Sequence, residues 1–186
     1  MNLVARAKAI LMTPRQEWPV IDAEPLNVGE LLTGYVLPLA AIGPIASIIG
    51  WSLFGFGGYF RLSIGSSITH AIVMYIMAII GVFVLAWIIN ALAPSFGATQ
   101  SMPQAIKLAA YSSTAAWVAG IFGIIPALAI IAAIGGLYSL YLCYLGLPVM
   151  MKSPADKTMT YFVVIIVAAI IIYVVLGMIT ARMMYF

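Results

Sequence analysis

Between Glu30 and Asp156 the chain carries no carboxylate, and only Arg61, Lys107 and Lys152 bring fixed positive charge into that stretch. Long apolar runs fill the rest. A water-soluble domain carries roughly a quarter charged residues, whereas here 7% are charged and 65% are hydrophobic over 186 residues. A soluble fold of this size has too little charge to cover so much apolar surface. Hydrocarbon as solvent removes the conflict, because one spanning helix takes about 20 apolar residues. The expected fold is an all-α membrane protein, a five-span transmembrane helical bundle with a short amphipathic N-terminal segment.

The expected division is an N-terminal segment over residues 1–27 and a bundle over 28–186. Its spans fall at about 28–54, 68–92, 106–125, 126–150 and 159–183. Pro38 and Pro44 lie inside the first span and predict a kink or break there. Gly55, Gly57, Gly58 and Gly65 surround a loop with Arg61, and Pro94 closes the second span. Only Gly123 to Pro126 separates the third span from the fourth, which predicts a tight antiparallel hairpin. Four helix starts are legible: Thr13-Pro14-Arg15-Gln16, Asn27 with Glu30, Ser101 with Gln104, and Ser153-Pro154-Ala155-Asp156. Tyr161 and Tyr185 would mark the two interfaces of the last span.

In the N-terminal segment Leu3, Val4, Ala7, Ile10 and Leu11 form an apolar stripe at helical spacing. Arg6 and Lys8 flank it and can snorkel to lipid phosphates while the stripe dips into the interface. Arg15 and Trp18 follow; tryptophan favours headgroup level. Arg6, Lys8, Arg15 and Trp18 are thus the candidate membrane-surface or partner-binding residues. Pro19 and Pro25 limit further helix. The apolar piece Ala9 to Met12 is too short for a signal peptide, so the N-terminus is expected to be retained.

Five spans place Arg6, Lys8, Arg15, Lys107, Lys152 and Lys157 on one side, and Arg61 and Arg182 on the other. The positive-inside rule puts the larger set, with the N-terminus, in the cytoplasm. The expected location is a cytoplasmic (inner) membrane. The scattered cations are no nucleic-acid footprint, and Lys107 at a span end is expected to reach water.

Past Glu30 at the cap of the first span, no Asp or Glu falls within the expected spans, which argues against a proton-coupled pump. His70, the only histidine, reads as an interfacial hydrogen-bonding group, with pH sensing as the alternative. Cys143 reads as a small buried hydrophobe. No metalloprotease, nucleophile-elbow or phosphate-loop pattern occurs. No enzyme, metal or cofactor is expected. The polar set within the membrane is Tyr35, Asn90, Tyr111, Ser112, Ser113, Thr114, Tyr138 and Tyr141. Tyr111 to Thr114 point all round a helix, so some hydroxyls must meet other helices. They form either a polar pocket or helix–helix glue bonded to carbonyls one turn back. Tyr138, Tyr141 and Tyr144 share one arc, either a packing surface or an aromatic groove.

Several segments carry a resemblance: Glu17-Trp18-Pro19, Glu24-Pro25, Gly34-Tyr35-Val36-Leu37-Pro38, Ile89 to Pro94, Ala109-Ala110-Tyr111-Ser112, Ala116-Trp117, Gly136-Leu137-Tyr138 and Tyr144 to Pro148. In this order and spacing the chain resembles the Yip family, in its short bacterial-type form. The resemblance implies five spans with a cytoplasmic N-terminus. Eukaryotic members are tied to vesicle traffic, small GTPases and membrane shaping, but carry a much longer tail. The function expected here is organisation of membrane lipid or partner membrane proteins, without enzymatic activity. The alternative is a small-solute or ion channel or transporter built on a polar cavity. Small residues along several spans also fit homo-oligomerisation.

Overall fold

The computed structural model describes residues 2–54 and 63–184, with side chains placed for these except residues 53, 54, 126, 173 and 175–184. The loop around Arg61, the Arg182 side chain and Tyr185 lie outside the described residues.

The chain opens with two ten-residue helices, α1 (Leu3–Met12) and α2 (Pro14–Ala23). Five helices long and apolar enough to span a membrane follow. They are α3 (Val28–Ser52), α4 (Ile64–Leu92), α5 (Met102–Ile124), α6 (Ala129–Met150) and α7 (Ala155–Met184). No strand occurs among the described residues. α5 is the most buried span, and α7 sits at the periphery. Most of the aliphatic side chains that remain exposed, such as Ile72, Ile130 and Ile170, lie on the spans, where hydrocarbon would meet them.

The prolines of α3 act as expected. A π segment covers Leu32–Val36, regular helix resumes over Leu37–Ala40, and the helix breaks at Ala41 before Ile42–Ile49. The Leu37 carbonyl beside this break accepts from the Tyr75 hydroxyl of α4 at 3.2 Å. Such repair lets a spanning helix carry proline without an unsatisfied group in lipid. α5 breaks at Ser113 and ends in a 3₁₀ turn over Gly120–Ile124. The Ala116 N–H donates to Ser139 Oγ of α6 at 2.9 Å. The hairpin from α5 to α6 turns at Pro126–Leu128, as the sequence predicts.

Lipid gives spanning helices no hydrophobic drive to associate, so close packing must hold them. Glycine supplies the closest approach. A Cβ on Gly120 would lie 2.8 Å from the Gly43 Cα of α3, and one on Gly135 would lie 2.2 Å from the Ala119 Cβ of α5.

Some local expectations fail. Asn27 does cap α3, accepting from the Glu30 N–H at 3.2 Å. Thr13 starts α2 but makes no side-chain cap; its hydroxyl donates back to the Ala9 carbonyl at 3.1 Å. Ser101 makes no side-chain cap, and the side chain of Gln104, expected to reach back to it, reaches Asp22 instead. Pro19 does not limit α2, which runs through it to Ala23. On a helix this short, proline removes one hydrogen bond, and packing of the neighbouring Trp18 and Ile21 holds the turn together.

Candidate functional site

The N-terminal segment forms a helical hairpin packed against α5 and α6. Its apolar stripe is real, yet apart from Val4, which stays 73% exposed, it meets protein rather than lipid. Ala7 and Ile10 are buried, and Leu3 and Leu11 pack against the same core. On α2, Trp18 and Ile21 are fully buried. The Trp18 indole lies over Gly146 of α6, where a Cβ would come within 2.8 Å of the ring. Trp18 is therefore a packing anchor and not an interfacial tryptophan; its indole N–H is buried without a partner among the described residues.

The charges of the hairpin are sorted by sign. Arg6, expected to snorkel outward, turns inward and pairs with both Glu17 and Glu24. Its guanidinium carbon stands 5.9 Å from the centre of the Tyr111 ring. Burial alone would lower the Arg6 pKa, but the hydrogen bond and charge of Glu24, with the charge of Glu17, raise it overall. Asp22 also faces inward. One oxygen accepts from Gln104 Nε2 at 2.9 Å and the other from Lys152 Nζ at 2.5 Å. Lys152 follows the end of α6 with φ at +51°, a left-handed conformation that disfavours a side chain. Its ammonium group also donates to the Val149 carbonyl at 2.6 Å, which helps offset that cost.

Lys107 does not reach water. It is buried in α5, and Nζ donates to the carbonyls of Ile21 at 2.7 Å, Asp22 at 3.3 Å and Glu24 at 2.7 Å. These are carbonyls that a helix end leaves unsatisfied, so a cation from a span closes the C-terminus of α2. At the other end of the hairpin, Tyr138 Oη of α6 donates to the Leu11 carbonyl at 2.7 Å. Tyr138 precedes Met150 by twelve residues, about 18 Å at the α-helical rise. The hairpin thus lies alongside α6 rather than above its end.

Lys8 and Arg15 stay outside. Both are exposed, and neither side chain has an ion-pair or hydrogen-bond partner among the described residues. Over residues 2–23 every exposed side chain is basic, neutral polar or apolar, while Glu17 and Asp22 are partly covered.

Beneath Arg6 the polar set within the membrane comes together in part. Tyr35 and Tyr111 pack with ring centres 4.7 Å apart. Tyr35 Oη meets Thr114 Oγ1 at 2.7 Å, and Thr114 donates to the Tyr111 carbonyl at 2.7 Å. Ser112 and Ser113 both donate to the Ala109 carbonyl, at 3.2 and 2.8 Å. This is the bonding pattern of helix–helix glue. Asn90 stands apart at the end of α4, with its side-chain oxygen buried and unpartnered among the described residues. The tyrosine arc of α6 divides. Tyr138 holds the hairpin, Tyr141 is exposed beside it, and Tyr144 packs edge-on against Phe162 of α7.

A polar cleft of about 280 Å³ opens between the hairpin and the start of α3, edged by Arg6, Glu24, Asn27, Glu30, Lys107 and Tyr111. Tyr35, Tyr111 and Thr114 are 0%, 3% and 0% exposed, so packed side chains lie at its inner end. Among the described residues no group of His, Cys, Asp and Glu suits a metal ion.

Sequence reasoning missed Lys107 and the inward turn of Arg6. The available signal was the concentration of four of the five carboxylates within residues 17–30. Acids gathered in a chain so poor in them call for buried cations nearby.

The model of the Yip1 domain matches residues 8–178. The match takes in all of α2 and the second half of α1, so most of the hairpin falls within the domain. No curated protein and no solved structure matches the chain.

Proposed function

The chain belongs to the Yip1 domain family, and from that premise we propose that it is a non-enzymatic membrane protein organising membrane lipid or partner proteins through its N-terminal hairpin. The observation that carries this reading is the sorting of charge. The carboxylates Glu17, Asp22 and Glu24 are engaged by Arg6 and Lys152, which leaves Lys8 and Arg15 to face outward. A segment with as many acids as bases thereby presents a basic outer face. The hairpin faces the cytoplasm of an inner membrane on this reading, because Lys107, Lys152 and Lys157 share its side.

The test is reconstitution of the full chain into vesicles, with vesicle shape and capture of cross-linked membrane partners as readouts. Reversing the outer charges (K8E/R15E) should weaken one or both readouts while leaving the melting temperature unchanged. Arg6→Met should lower the melting temperature, because it strands carboxylates whose partner is gone. If K8E/R15E leaves both shape and capture intact, the hairpin is not the working surface.

A solute path is the second reading, and the polar cleft is the feature that favours it. Packing at Tyr35, Tyr111 and Thr114 stands against continuation of that cleft through the bundle. Reconstituted protein should therefore pass no more small solute than empty vesicles.

A further inference from the structure

The turn of the hairpin makes a crevice with α6 of about 320 Å³, lined by Met12, Thr13, Pro14, Arg15, Gln16, Tyr138 and Tyr141. Its only fixed charge is the unpaired, exposed Arg15. Tyr141 is 42% exposed at the rim. Three further residues of α6 continue from Tyr141 along one helical face: Leu137, Ile134 and Ile130, which are 67%, 59% and 71% exposed. The spacing from 130 to 134, 137 and 141 keeps them on one stripe.

The geometry points to a site for one anionic glycerophospholipid of the surrounding bilayer, with its phosphate between Arg15 and Tyr141 and an acyl chain along Leu137, Ile134 and Ile130. The inference rests on the proposed role of the hairpin and names its ligand. A guanidinium binds phosphate through paired N–H groups, which a lysine cannot reproduce. The phenol adds one donor at the rim of the crevice. The apolar stripe is part of a span, so a ligand lying there must carry hydrocarbon. That requirement separates a lipid from free phosphate or an acidic peptide. Lys8, exposed on α1 between Val4 and Met12, adds charge to the same hairpin without lining the crevice.

The experiment uses the full chain in vesicles of phosphatidylcholine with a minor fraction of phosphatidylglycerol. Spin-labelled forms of each lipid report the motionally restricted population at the protein surface. The wild-type chain should hold labelled phosphatidylglycerol in preference to phosphatidylcholine. One basic residue near a membrane surface changes anionic-lipid association by about five-fold, so Arg15→Gln should remove most of that preference. Arg15→Lys should recover only part of it, and Tyr141→Phe should weaken it. Lys157→Gln, away from the crevice, should leave it unchanged. Soluble glycerol phosphate should not compete, because it lacks the chain that lies on α6. An equal association of both labels with wild-type protein, or an unchanged preference in Arg15→Gln, overturns the site. So does full competition by glycerol phosphate. If vesicle shape or partner capture still responds to K8E/R15E in that event, the hairpin keeps its role and only this ligand is wrong.

Discussion

Lys107 Nζ donates to the Ile21 carbonyl at 2.7 Å, joining the opening turns of a spanning helix to the end of a helix 86 residues earlier. With the Glu24 carbonyl at 2.7 Å, it makes one ammonium group the C-terminal closure of α2. Lys107→Met keeps most of the aliphatic stem and removes the donors. It should cost about 1–3 kcal/mol, the range for stranding buried acceptors. Hydrogen exchange offers the sharper reading: amides of α2 should exchange faster in this variant, while those at the start of α7 should not change. Uniform acceleration through both helices would mean global loosening rather than release of the hairpin.

Two glycines of α6 should respond in opposite ways to alanine. A Cβ on Gly146 would lie 2.4 Å from Leu108 Cδ1 and 2.8 Å from the Trp18 ring, whereas one on Gly136 meets nothing within 4 Å. Gly146→Ala should destabilise by about 1–3 kcal/mol through overpacking. Limited proteolysis should then cut within the first 27 residues. Gly136→Ala should be neutral or stabilising by up to about 1 kcal/mol, since alanine favours helix. Thermal melting of the two purified variants in the same detergent makes the comparison, and equal melting temperatures would contradict it.

The hydroxyl pair beneath Arg6 predicts another asymmetry. Thr114 has one hydroxyl proton and directs it to the Tyr111 carbonyl, so Tyr35 must donate to Thr114. Tyr35→Phe removes the donor and leaves Thr114 with its own bond intact, a loss of about 1 kcal/mol. Thr114→Val leaves the fully buried Tyr35 hydroxyl without its acceptor and should cost about 1–3 kcal/mol. Melting temperatures should fall further for Thr114→Val. The reverse order would show that the proton assignment is wrong.

Five spans, the breaks in α3 and the turn before α6 were all legible from the chain itself. Their causes are local: apolar length fixes the spans, and proline and glycine punctuate them. The hairpin was half legible. Its two helices and the turn at Pro14 follow from spacing and proline. Its seat does not, because the stripe of Leu3, Val4, Ala7, Ile10 and Leu11 serves equally well against lipid or against protein. Only the later placement of Gly146, Leu108 and Lys107 decides between them. Arg6 illustrates the same ambiguity. A flanking arginine with no visible partner reads as a lipid contact, yet Glu17 and Glu24 reach it through the turn. Lys8 and Arg15 kept their expected exposure, since no carboxylate is placed to draw them inward.

The bond from Tyr138 to Leu11 joins residues 127 apart in sequence. Synthesis proceeds from the N-terminus at about 5–20 residues per second, so roughly 6 to 25 s separates the emergence of the two partners. Through that interval the first two helices have no groove in which to lodge, and the indole of Trp18 must be held by something other than its final neighbours Leu108 and Gly146. The N-terminal hairpin is made first and settles late. A nascent chain halted before residue 138 should therefore leave its opening segment open to protease, however completely the first three spans have entered the bilayer.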